Sequence, residues 1–153
     1  MANTYTQIHL QFVFAVKYRQ ALIDPSWKER LHQYITGIIR NDNHKMLAIN
    51  SMPDHIHILV GFRPEHSISQ LMNKVKSDSS QWINKEKLIR GHFQWQSGYG
   101  AFSYSKAHVE RVINYILRQE EHHRKKSFLE EYIKLLEEYG IEYDKRYLFK
   151  DPE

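Results

Sequence analysis

The chain contains no cysteine among its 153 residues. That excludes disulfides, thiolate metal sites and cysteine nucleophiles. No apolar run approaches the ~20 residues needed to cross a bilayer, so no membrane partner is expected. The opening residues MANTYTQIHL lack a basic stretch followed by an apolar one, so no secretion signal is expected and a cytoplasmic location follows. Glycine and proline are scarce, at 6 and 4 residues, while aromatics make up 13%. There is no repeat, linker or low-complexity run, which excludes fibrous and disordered classes. Residues 1–153 therefore read as a single domain with a real core. Acidic residues are outnumbered by basic ones, giving a net charge of +4. This excess favours an anionic partner such as nucleic acid, although an ordinary solvated surface carries such a charge too.

Residues 6–17 alternate, with Ile8, Leu10, Phe12, Phe14 and Val16 on one face and Gln7, His9 and Gln11 on the other, which predicts a half-buried strand. Residues 26–40 carry apolar side chains at helical spacing behind Ser26, a candidate N-cap. Residues 45–51 and 55–62 read as strands separated by a Pro53-Asp54 turn. Ser67 is placed to cap a second helix reaching about Leu88. Residues 91–105 hold three glycines and a short strand at AFSYS. A third helix is expected from Lys106, capped by Ser105 and broken by Lys125, Lys126 and Ser127. A fourth pattern over residues 128–139 stops at Gly140, a good C′ residue. The order predicts an α+β chain whose first six elements form a ferredoxin-like βαββαβ sandwich. Helices on one face of its antiparallel sheet would leave the other face open.

Within PDHIHILVGF, His55 and His57 share a strand face, opposite the apolar set Ile56, Ile58, Val60 and Phe62. Their Cβ atoms would lie roughly 7 Å apart, near enough to hold one metal ion together. The bland reading is a pair of hydrogen-bonded histidines on an open sheet face, and a third ligand would decide between the two. Gln119 offers a carbonyl oxygen, and Tyr115, four residues earlier, would project from the same helix face. Two imidazoles and an amide suit a magnesium- or manganese-like ion with positions left for water and substrate. A phenol is a poor nucleophile unless its proton is removed or its target activated, and a metal polarising a phosphodiester does the second. Val112, Ile113, Ile116 and Leu117 around Tyr115 equally fit a core tyrosine.

Four stretches together resemble the single-tyrosine HUH transposases of small bacterial insertion sequences, the IS200-like family. They are HLQFVFAVKYR, MPDHIHILVGF with its His55-Ile56-His57, WQSGYGAFSYS, and VINYILRQEEHH with Tyr115 and Gln119. The resemblance runs in order along nearly the whole chain. It implies a divalent ion, Mg²⁺ or Mn²⁺, on His55, His57 and Gln119, and Tyr115 as the catalytic nucleophile on single-stranded DNA. The product would be a 5′-phosphotyrosine link with a free 3′-hydroxyl, resealed later without ATP or any nucleotide cofactor. It further implies DNA hairpins at element ends as substrates, and a homodimer whose active sites are composed from two chains.

Lys17, Arg19, Lys74, Lys76, Arg118, Arg124, Lys125 and Lys126 are candidate phosphate contacts. Tyr99, Phe102 and Tyr104 are candidates for stacking on unpaired bases, with core packing the alternative for Phe102. His122 and His123, one turn past Gln119, could approach the metal or be solvated, and His9 could neighbour the site. Two rival functions share these residues. One is a nucleic-acid-binding module without chemistry; the other is a metal-dependent phosphodiesterase that uses water.

Overall fold

The computed structural model describes residues 4–123, 127–144 and 148. Strand β1 (His9–Ala15) leads through a 3₁₀ turn into helix α1 (Pro25–Asn41). A hairpin of β2 (Lys45–Met52) and β3 (His55–Gly61) follows, then α2 (Ile68–Lys85) and β4 (Gly100–Tyr104). Three helices complete the described chain: α3 (Lys106–Leu117), α4 (Gln119–His123) and α5 (Phe128–Glu138). The sheet order is β2-β3-β1-β4 with every pairing antiparallel. This is the expected ferredoxin-like βαββαβ arrangement, with additional C-terminal helices.

The helix starts follow local chemistry. Ser67 closes a full capping box with Gln70, as its sequence position suggests. At α1 the cap lies two residues earlier than Ser26: Asp24 accepts from Ser26 N at 2.9 Å and Pro25 opens the helix. An aspartate followed by proline is a stronger start than serine inside the first turn, because proline needs no N–H partner there. Ser105 occupies the cap position of α3 without a side-chain cap bond. Gly140 takes φ 63, and Ile141 N then reaches Leu136 O at 2.9 Å to close the end of α5.

One face of the sheet, carrying Phe12, Phe14, Ile56, Ile58 and Val60, packs on α1 and α2 through Leu31, Ile35, Ile39, Leu71, Met72 and Val75. The other face is not open as the sequence suggested. On it, α3 sets Val112 and Ile116 against Ala48 and Leu59. Beside them α5 sets Phe128, Tyr132, Leu135 and Leu136 against Val13, Ala15 and Phe102. Strand β1 is consequently buried on both faces rather than half-buried. Gly100 makes the approach of α5 possible: a Cβ there would stand 2.8 Å from the Tyr132 ring.

The third helix also differs from expectation. It breaks at Arg118, with φ −103 and ψ 25, and restarts as α4, so Tyr115 and Gln119 lie on two short helices. The expected break at Lys125 and Lys126 lies outside the described residues.

Candidate active site

His55 and His57 stand on the central strand β3, and both are fully buried beneath α3 and α5. Their rings lie 5.2 Å apart, centroid to centroid. Each has its Nδ1 held. Asp54 Oδ1 is 2.7 Å from the Nδ1 of His55. Gln11 Oε1, across the ladder on β1, is 2.7 Å from the Nδ1 of His57. An amide oxygen only accepts, so the Nδ1 of His57 carries the proton and its Nε2 presents a lone pair in the neutral ring. Gln11 is fixed in turn by donating its Nε2 to the Tyr104 hydroxyl at 2.7 Å.

The third member comes from α5. Glu131 Oε1 lies 2.9 Å from the Nε2 of His57, and one ligand atom from each of His55, His57 and Glu131 falls within 4.8 Å of the others. All three residues are buried. Two oriented imidazoles and a carboxylate in a water-poor space are a donor set suited to a divalent ion. Without a cation, a carboxylate sunk to 5% exposure carries a large desolvation cost, so the set fits an ion on charge as well as geometry.

Tyr115, on α3, meets this group from above. Its ring centroid is 6.1 Å from that of His57, edge on. Its hydroxyl hydrogen-bonds to the side chains of Glu131 and Gln119. Burial, the Glu131 charge and the bond donated to that carboxylate push the phenol well above its usual range, while the Gln119 amide opposes the shift. Gln119 is fully buried, and its Nε2 also reaches the Tyr115 carbonyl at 3.4 Å. The end of α3 is pinned by Asn50 on β2, whose Nδ2 donates to Ile116 O at 2.9 Å. Phe128 stacks on the His55 ring, 3.9 Å between centroids and 13° from parallel.

The structure thus brings together His55, His57, Tyr115 and Gln119 within one chain and adds Glu131, Gln11, Asp54 and Asn50, which sequence reasoning did not single out for the site. Glu131 did leave a trace: it interrupts the buried stripe of Phe128, Tyr132, Leu135 and Leu136 with an acid. Its neighbour Glu130 serves the helix start instead, on Ser127.

The remaining candidates scatter. His9 shares the face of Gln11, opposite Gly61 and Tyr104. Phe102 is core, Tyr104 is engaged by Gln11, and Tyr99 stays exposed beside Phe12. Lys74 pairs with Asp42 at 2.9 Å, whereas Lys76 turns the other way and donates to Gln96 O and Gly98 O. Lys17 and Arg19 form the turn after β1, and Arg118 is exposed between α3 and α4. Arg124 and Lys125 lie outside the described residues, as do the side chains of His122 and His123.

Comparison with known proteins bears on the fold and the family. The family model described as "Transposase IS200 like" matches residues 4–119. ISDra2 transposase TnpA of Deinococcus radiodurans is 24% identical over 119 residues, spanning 74% of this chain and 84% of that protein. Among solved structures, a candidate transposase from Deinococcus radiodurans R1 superposes with TM-score 0.63 at 20% identity, covering 78% of this chain and 95% of the other. A REP-associated tyrosine transposase bound to a REP hairpin gives TM-score 0.61 at 13% identity, covering 80% and 73%. The family match stops at Gln119, so α5 and its Glu131 lie beyond it. The four-stranded sheet, the paired histidines and the tyrosine helix stand inside the matched region, and the chain belongs to the IS200-like transposase family.

Proposed function

We propose that this transposase cleaves and rejoins single-stranded DNA through Tyr115, forming a 5′-phosphotyrosine intermediate beside a divalent ion. The observation that carries the reading is the contact of Tyr115 with Glu131, which itself touches His57. Nucleophile, proton acceptor and metal-ligating histidines form one connected group. His55, His57 and Glu131 would hold the ion. Bound there, the ion supplies charge stabilisation to the phosphate oxygens.

The chain's own residues do the rest. Asp54 and Gln11 keep both imidazoles turned inward. Glu131 stands where it can accept the proton of Tyr115 as the phenol oxygen attacks phosphorus. A Tyr115 O–P bond forms, the P–O3′ bond breaks, and the departing 3′-oxygen ends protonated. The Gln119 amide donates to the tyrosine oxygen and favours its anionic form. Resealing reverses these bonds with a 3′-hydroxyl as nucleophile. Gln119 as third metal ligand, which the family resemblance implies, is the alternative to Glu131. The REP hairpin bound by the structural relative supports hairpin DNA as the partner here. A homodimer with sites shared between chains would require α3 to leave the position it holds over its own histidines.

The test is covalent capture. The protein is mixed with 3′-labelled single strands from the DNA flanking its own gene, with Mn²⁺, and run on a denaturing gel. A labelled band at protein mass, lost in Tyr115→Phe and on chelation, is expected. Cleavage without a covalent band would instead mean hydrolysis by water, and tight binding without cleavage of any strand would mean a binding module.

A further inference from the structure

On the α2 side of the sheet, at the C-terminal end of β1, lies a cavity of about 670 Å³. Its size falls among small-ligand sites, which span roughly 300–1,000 Å³. Lys17, Tyr18, Asn73, Lys76, Gln94 and Gln96 line it. The active site described above uses none of them.

Its parts are of three kinds. The first is a cation over a ring: Lys17 Nζ sits 5.3 Å from the Tyr18 ring centroid and 3.3 Å from Gln94 Oε1. The second is a set of neutral amides, Asn73, Gln94 and Gln96; Gln96 donates its Nε2 to Leu148 O, while its Oε1 is buried with no hydrogen-bond partner among the described residues. The third is a backbone that L residues rarely adopt. Tyr18 and Arg19 take φ 58 and φ 52 in succession, a left-handed turn that presents Tyr18 to the cavity. Strain of this sort concentrates where a side chain must be aimed. Lys76 serves as wall rather than contact, since its ammonium is engaged by Gln96 O and Gly98 O at 2.7 and 2.8 Å.

A cation, an aromatic face and amide edges are what a nucleotide asks for: a partner for phosphate, a stacking surface and base-edge hydrogen bonds. The cavity is also tied to the metal-ligating strand. Val16 N donates to Asp54 O at 2.9 Å, and the Asp54 carboxylate holds His55. Gln96 N donates to Ala15 O at 2.8 Å, and Ala15 pairs with His55 across the ladder. We propose that this cavity, on the sheet face opposite Tyr115, holds one unpaired nucleotide of the same single strand, a reading that rests on the single-strand function above. Tyr18 stacks on the base, Lys17 contacts a phosphate, and the amides meet the base edge.

The experiment uses the full chain carrying Tyr115→Phe, so that binding is read apart from cleavage. The probes are twelve-residue oligothymidylates with 5-iododeoxyuridine at one position each, photo-crosslinked and mapped by mass spectrometry. The expected result is an adduct on Tyr18, reduced at least fivefold by Gln94→Ala and absent with a duplex probe. Tyr18→Gly, which suits the left-handed backbone, should weaken strand affinity about tenfold with the fold retained. Adducts confined to other surfaces, or a Tyr18 adduct of equal yield from duplex, would overturn the cavity assignment and leave the phosphotyrosine reading standing. Failure to bind any single strand would overturn both.

Discussion

Gln11 Oε1 lies 2.7 Å from the Nδ1 of His57, joining the two inner strands through the residue pair that sets which His57 nitrogen keeps its proton. Gln11→Leu removes the acceptor and frees the ring to turn. Loss of such a support costs about 10–100-fold in metal affinity in well-studied sites. That drop is expected here by titration with Mn²⁺ followed by electron paramagnetic resonance. Gln11→Glu keeps an acceptor at the same reach and should retain most of the affinity. Equal affinities for wild type and Gln11→Leu would remove Gln11 from the support of the site.

Glu131 and Gln119 act on Tyr115 with opposite sign. The carboxylate raises the pH at which the phenol ionises and the amide lowers it, on top of the larger effect of burial. Glu131→Gln should therefore lower the pH at which Tyr115 ionises, and Gln119→Leu should raise it. Ultraviolet difference titration, with the Tyr115→Phe background subtracted, reads both. The same Glu131→Gln protein should bind Mn²⁺ at least tenfold more weakly, whereas Gln119→Leu should not. The reverse pattern would hand the third ligand position to Gln119.

His32 is a stability probe remote from the catalytic group. It is buried on α1, its Nε2 2.8 Å from Ser51 Oγ, and burial lowers its pKa from 6.5 to about 4. Between those values the unfolded chain binds a proton that the folded chain refuses, so stability falls as pH drops from 6.5 toward 4 and levels off below. The loss attributable to this residue reaches about 3 kcal/mol at one pKa unit per 1.36 kcal/mol. Urea midpoints at pH 7 and pH 5 should differ less in His32→Gln than in the wild type. An unchanged difference would assign the acid sensitivity elsewhere.

Tyr115 approaches the His57 of its own chain, at 6.1 Å between rings. Mixing His57→Ala with Tyr115→Phe tests whether that pairing is the working one. With the site complete in one chain, neither protein can supply the other and the mixture should cleave no strand. Recovered cleavage in the mixture would show that α3 is exchanged between chains, as the homodimeric family pattern implies.

The framework was largely legible in the residues because strand alternation and helix caps are local. Ser67, Ser105 and Gly140 stand where a helix begins or ends, and Ile56, Ile58 and Val60 face the core their spacing predicted. Non-local features were not legible. Gln11 read as a solvent-facing strand residue because a glutamine looks the same whether water or His57 takes its oxygen. The covered second face followed from α5, whose docking depends on the missing side chain of Gly100 rather than on any motif. Glu131 resembled its neighbours in a charged helix, and only the fold separates it from Glu130. The break at Arg118 carries no proline or glycine to announce it.

The order β2-β3-β1-β4 sets the two histidines and Gln11 on the two inner strands. Backbone amides there are laddered on both sides, so they exchange with solvent only when much of the sheet opens. The helices bearing Tyr115 and Glu131 are laid onto that sheet from outside and can open locally. The molecule is therefore built in two tempos: a slow-exchanging platform that keeps the imidazoles in register, and a faster outer layer that brings the reacting oxygen to it.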